Sequence, residues 1–266
     1  MVVTAFGPMR RHLFDSPLGQ VHFVDSGDPA ARPLLLMHQV PRSVDEFAEV
    51  IPLLDEQLRV IAMDLPGYGC SDRPPAQPDI AGYAEAAVAL LDHLGLERAA
   101  LGGHHTGAIV SVEAAAARPE RVSHLVLSGP VYMDEAARRE LGALFEQWHV
   151  QPDGSHLTEK WGRMAAWIDD PALVQRCVLD LFRSGETSEW GHFAVAEYHM
   201  EDRLQQVKAP ALVLSGTDDP FSQPEKNQVF SDILSDCRQA IIDGGGIFML
   251  NQRPREWSEA VLAFLA

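Results

Sequence analysis

The chain has little cysteine and little positive charge, and it has no long apolar run. Its three cysteines, Cys70, Cys177 and Cys237, are an odd number without paired spacing. That argues against a disulfide framework and a cysteine metal site, and for reduced thiols in a cytoplasmic compartment. Lysine and arginine total 21 against 38 aspartates and glutamates, a formal net charge of −17. Such a surface repels phosphate backbones and anionic lipid, which removes nucleic acid and membrane as partners and favours a neutral or weakly charged small molecule. Nowhere do about 18 apolar residues run uninterrupted, as a membrane helix requires. Arg10 and Arg11 are not followed by an apolar run, so no secretory signal is expected in the stretch from Met1 to Leu13. Internal repeats, low-complexity tracts and an interdomain linker are also missing.

What is there suits one folded domain. With 266 residues, 46% of them hydrophobic and 22% charged, the chain can bury a sizeable core. Short apolar runs at 34–37, 60–63, 125–127, 211–214 and 240–242 alternate with amphipathic stretches. This is the pattern of βα units building a mainly parallel sheet. Stretches 81–94, 107–117 and 254–265 read as helices, the last begun by a proline in its first turn. Ser43-Val44-Asp45-Glu46 has the spacing of a capping box and predicts a helix start. The interval 131–208 breaks the rhythm, carrying Trp148, Trp161, Trp167 and Trp190 among helical patterns with no clear strand. It reads as a helical cap inserted into a core formed by 1–130 and 209–266. Its aromatic residues are either cap core, which burial preferences favour, or substrate contacts.

The strongest local signal is Leu101-Gly102-Gly103-His104-His105-Thr106-Gly107, ending a strand-like run and opening a helix. It resembles the nucleophile elbow, G-x-S-x-G, of the α/β hydrolases, a turn so tight that glycines flank it. Four more segments follow that family's order. His38-Gln39-Val40-Pro41 is similar to its H-G-x-P loop, and Asp64-Leu65-Pro66-Gly67-Tyr68-Gly69-Cys70-Ser71 to its D-x-P-G-x-G-x-S turn. Gly216-Thr217-Asp218-Asp219 resembles the G-x-x-D that supplies the acid, and Gly246-Ile247-Phe248 lies where the family has G-H-F. The five motifs span nearly the whole chain. They resemble epoxide-hydrolase- and haloalkane-dehalogenase-like members with a helical cap, which implies an α/β fold with a mainly parallel sheet flanked by helices.

The departures from that pattern bear on function. In the ordinary triad a serine attacks, a histidine takes its proton and an acid orients the histidine. Here His105 stands at the nucleophile position and Ile247 at the base position, so acyl-enzyme chemistry through a serine is excluded at this site. Asp219 is the expected acid, ahead of Asp218 and Asp134. It is either an orphan carboxylate bonded to loop amides or the partner of His105, directly or through a water. The resemblance places an oxyanion hole at the backbone amides of Val40 and Thr106, and Gln39, in place of the usual glycine, is a candidate substrate contact that adds a side-chain amide to the pocket. His104 and His38 read as structural histidines, with no third ligand to make a metal site. His192 and Tyr198 are candidate substrate contacts from the inserted segment.

Two function classes follow. One is an enzyme in which His105, aided by Asp219, acts as general base on water or on substrate. Such an enzyme would hydrolyse a small ester or lactone, or run a lyase, decarboxylation or cyclisation step. The other is a non-catalytic ligand-binding protein that keeps the pocket and has lost the triad. No cofactor and no metal are implied, and a homodimer is left open.

Overall fold

The computed structural model describes residues 9–266, so most of the stretch read for a secretory signal lies outside the described residues. Among the described residues eight strands form one sheet: β1 (Arg10–Ser16), β2 (Gly19–Ser26), β3 (Arg32–Met37), β4 (Leu58–Met63), β5 (Ala99–His104), β6 (Val122–Ser128), β7 (Ala211–Gly216) and β8 (Cys237–Ile242). Their spatial order is β1-β2-β4-β3-β5-β6-β7-β8. The pairs β1–β2 and β2–β4 are antiparallel and all others parallel. The fold is the α/β-hydrolase fold. All five strands read from the sequence lie in this sheet, and the run before the elbow is β5.

The central strands carry unbroken apolar runs because both sheet faces are covered. In β3, Leu34, Leu35, Leu36 and Met37 are all fully buried, and their alternation splits them between two cores. Leu35 and Met37 face α2 (Ile80–His93) and α3 (Thr106–Ala117). Leu34 and Leu36 face α1 (Ile51–Leu54) and the C-terminal helix Pro254–Leu265. The helix at 80–93 starts where Asp79 accepts the Gly82 amide at 2.7 Å, a side-chain cap for an otherwise unpaired donor.

The capping box at Ser43 resolves differently from the sequence reading. Ser43 does cap, its hydroxyl accepting from the Asp45 amide, but the segment it opens is a single 3₁₀ turn, Val44–Phe47. Glu46 does not reach back to Ser43. Its carboxylate instead takes the backbone amide of Gln39 at 2.8 Å and the Gln39 side chain at 2.7 Å. A buried amide on an irregular loop needs an acceptor, and the loop offers none of its own.

Between β6 and β7 the chain forms α4 (Glu135–Leu144), α5 (Ser155–Ala165), α6 (Pro171–Ser184), α7 (Trp190–Glu197) and α8 (Met200–Leu204). Part of this segment has its own small core of Ile168, Leu173, Val174, Cys177 and Val178, closed by Phe248. Its last third does not stand apart: Ala194, Val195, Met200 and Leu204 join the main core. Arg203 also forks onto Glu113 of α3 at 2.7 and 2.8 Å. The tryptophans divide as well. Trp148 is buried with its indole N–H on Ser188 Oγ, whereas Trp161 and Trp167 are 40% and 50% exposed. After β7 come α9 (Pro224–Ile233), α10 (Met249–Gln252) and α11 (Pro254–Leu265). The three cysteines are free, and no described helix is long and apolar enough to cross a membrane.

Candidate active site

The elbow is built by close packing of backbone. At Gly107 an added Cβ would lie 1.8 Å from the Met37 carbonyl oxygen, and at Gly103 2.3 Å from the same atom. No side chain fits at either position, so β5 and α3 press directly against β3. Between the two glycines His105 sits at φ 44°, the only described non-glycine residue with positive φ. A left-handed histidine is strained, and such strain persists only where the surroundings impose it. Here the His105 amide is held by the Ser128 carbonyl at 2.9 Å.

From this position the imidazole reaches the acid after β7. His105 Nε2 lies 2.7 Å from Asp219 Oδ2. Asp219 is fully buried, and its other oxygen accepts the amides of Phe221 and Ser222 at 3.0 and 3.3 Å. Burial opposes ionisation of Asp219, but the charge and hydrogen bond of His105 outweigh it and hold the carboxyl down at about 2. For His105, burial works against the charged ring, and Asp219 outweighs it and raises the pKa above its ordinary value. With Nε2 given to Asp219, the neutral ring carries its proton there and leaves Nδ1 as a free base.

His105 lines a cavity of about 290 Å³ together with Gln39, Val40, Thr106, His192 and Ile247. Other wall residues are mainly apolar, among them Ile109, Val131, Phe221 and Phe248. The resemblance had pointed to the amides of Val40 and Thr106, and among the described residues neither donates to a protein acceptor. Thr106 is the first residue of α3, where amides have no partner within the helix.

The remaining candidates separate cleanly. His192 is on the cavity wall, its Nδ1 on Glu189 at 2.7 Å and its ring stacked 3.7 Å over Phe145. Tyr198 is not on the wall, which corrects the sequence expectation. Its hydroxyl donates to Glu113 at 2.8 Å, because that buried carboxylate on α3 needs donors from the helices packed over it. Asp218 is exposed, and Asp134 caps α4 through the Ala137 amide, so neither serves the site.

The His104 ring lies beside that of His105, their centroids 4.4 Å apart, but it is fully buried and bonded inward. Its Nε2 donates to the Ile247 carbonyl at 2.8 Å and its Nδ1 meets Ser128 Oγ at 3.0 Å. Burial drives its pKa down to about 3, so it stays neutral. His38 likewise ties its loop, donating from Nδ1 to the Gln39 carbonyl and accepting the Leu65 amide at Nε2.

Glu46 was not legible as a residue of this site, because its capping-box spacing disguised it. It is buried beside Gln39 and feels the charge of His105, and burial pushes its pKa up to about 7. Among the described residues one His, Cys and carboxylate group is tight enough to hold a metal: His22, Asp64 and Cys70. It lies off the cavity, and Asp64 already accepts from Val44, Cys70 and His22.

The fold and the elbow decide the family. Residues 32–251 match the family described as the alpha/beta hydrolase fold. The chain belongs to that family. An uncharacterized hydrolase YugF of Bacillus subtilis is 33% identical over 98% of this chain and 99% of its own. The fluoroacetate dehalogenase of a Burkholderia species is 28% identical over 98% and 95%, and epoxide hydrolase A of Mycobacterium tuberculosis 26% over 97% and 98%. Among solved structures, a hydrolase from Pseudomonas aeruginosa PA01 superposes with a TM-score of 0.83 at 22% identity, covering 98% and 100% of the two chains. The curated relatives named here are hydrolases and a dehalogenase.

Proposed function

We propose that this protein is a cofactor-independent enzyme in which His105, oriented by Asp219, is the general base. The observation that carries the reading is the 2.7 Å contact between His105 Nε2 and a fully buried Asp219. It leaves Nδ1 unprotonated in the neutral ring, on the wall of a cavity large enough for a small molecule. In hydrolysis of a small ester or lactone, Nδ1 takes a proton from water as the water oxygen bonds to the carbonyl carbon. The carbonyl oxygen gains charge against the amides of Val40, in the loop after β3, and Thr106, at the start of α3, where the helix dipole favours an anion. The tetrahedral adduct then expels the alkoxide, which receives the proton back from the imidazolium. The same base could abstract a proton beside a carbonyl, with the enolate oxygen held by the same amides, for a lyase, decarboxylation or cyclisation. The helices between β6 and β7 serve as the cap over the cavity, and the free cysteines suit a cytoplasmic setting.

One observation favours the non-catalytic reading: Ile247 places a side chain with no ionisable group on the cavity wall, where a triad would need its base. A panel of small esters and lactones tested with wild type and His105→Ala separates the two. The enzyme reading expects turnover that falls about 10²- to 10⁴-fold in the variant, the usual worth of a positioned base. Binding without turnover by the folded wild type supports the receptor reading, and equal turnover by the two proteins removes His105 from the chemistry.

A further inference from the structure

Gln39 is clamped from two sides. Its Nε2 donates to Glu46 Oε1 at 2.7 Å and to the Ile247 carbonyl at 3.0 Å, and its backbone amide donates to the other Glu46 oxygen at 2.8 Å. A free glutamine could turn its amide over and exchange nitrogen for oxygen. This one cannot, because the Ile247 carbonyl only accepts and a turned amide would set two oxygens against each other. The clamp therefore fixes the direction of Oε1. That oxygen accepts nothing from the protein. It is also not walled in, as the unpartnered Asn227 Oδ1 is, but open to the cavity that Gln39 lines.

Beside the Thr106 hydroxyl, which can donate or accept, this part of the wall offers a ligand two donors and two acceptors of fixed role. The donors are the amides of Val40 and Thr106, and the acceptors are His105 Nδ1 and Gln39 Oε1. A plain ester can fill the donors but leaves Gln39 Oε1 without a proton, and closing a polar atom off from water unpaired costs about 1–3 kcal/mol. A ligand whose carbonyl is flanked by an N–H or O–H satisfies both sides at once. We infer that Gln39 is a specificity-determining residue, and that the site takes carbonyl compounds bearing an N–H or O–H donor next to the carbonyl carbon. Lactams, primary amides, carbamates and α-hydroxy carbonyl compounds have that chemistry. The inference rests on the proposed function only in seating the carbonyl at the Val40 and Thr106 amides.

The test reads binding, so it does not depend on turnover. 2-Pyrrolidinone and N-methyl-2-pyrrolidinone are titrated by calorimetry or ligand-observed NMR into wild type, Gln39→Met, Glu46→Gln and His105→Ala. Wild type should bind the N–H lactam about fivefold tighter, the worth of one ordinary hydrogen bond. Gln39→Met should bind the two alike, and Glu46→Gln, which loosens the clamp, should fall between. A preference kept in Gln39→Met would be steric and overturns the inference, as would equal binding or no saturable binding in wild type. His105→Ala should retain the preference. If it does while the activity panel fails, the reading of His105 falls and that of Gln39 stands.

Discussion

The contact between His105 and Asp219 has a size that can be worked out and measured. Burial alone would raise the Asp219 pKa, yet it lies at about 2 against an ordinary 3.8, and each unit is worth 1.36 kcal/mol, so the charged form is favoured by about 2 kcal/mol net of burial, with His105 the largest favourable contributor. Hydrogen bonds to charged groups in proteins contribute about 1.5–3 kcal/mol, which agrees. The sign sets the pH window. Asp219 has a depressed pKa, so its contribution is present above 3.8 and is lost as pH falls toward 2. His105 has a raised pKa, so its contribution is present below 6.5 and is lost as pH rises through its folded value. A double-mutant cycle with Asp219→Asn and His105→Gln, read by urea unfolding, should give a coupling of about 2 kcal/mol near pH 5.5. By pH 9 the coupling should shrink to that of a neutral imidazole donating to a carboxylate. A coupling below about 0.5 kcal/mol at pH 5.5, or one unchanged at pH 9, would refute the reasoning.

Three other outcomes are expected. A serine-directed fluorophosphonate should leave the pure protein unlabelled, since no serine occupies the elbow; stoichiometric labelling of a cavity serine, seen by mass spectrometry, contradicts this. Glu46, held near 7 by burial against an ordinary 4.5, stabilises most below 4.5. Relative to Glu46→Gln, wild type should lose about 3 kcal/mol as pH rises from 4.5 past 7, and parallel urea curves for the two proteins at pH 5 and 8 would count against it. Gly107→Ala should cost more than about 4 kcal/mol or prevent folding, because the new Cβ would sit 1.8 Å from a backbone oxygen; a melting temperature near wild type would show that β3 and α3 can separate.

Much of the fold was legible because the central strands are buried on both faces and so read as short unbroken apolar runs. The edge was not. β1 exposes all but Phe14 of its central residues and carries almost no hydrophobic signal, although it pairs with β2 through a tight hairpin that sets Ser16 opposite Gly19. At the site, glycines on either side of His105 and the order of the five motifs pointed to the elbow and to Asp219, but only coordinates could supply the distance between them. Glu46 was hidden because a carboxylate three residues after a serine fits a helix start equally well. Tyr198 misled for the opposite reason: an aromatic with a polar tip suits a pocket, and nothing in the sequence shows that Glu113 lies beneath it.

The central claim, that His105 is the base and Asp219 sets its ionisation, is tested most directly by two titrations of one protein. The pH dependence of kcat/KM on a substrate from the panel is set beside the ¹⁵N NMR titration of the His105 ring, in wild type and in Asp219→Asn. The account predicts one shared ionisation, with the rate following the neutral ring, Nε2 carrying its proton, and both curves moving to lower pH in Asp219→Asn because the charge that favours imidazolium is gone. A rate that stays flat through the His105 ionisation, or a ring titration that Asp219→Asn leaves in place, would contradict it.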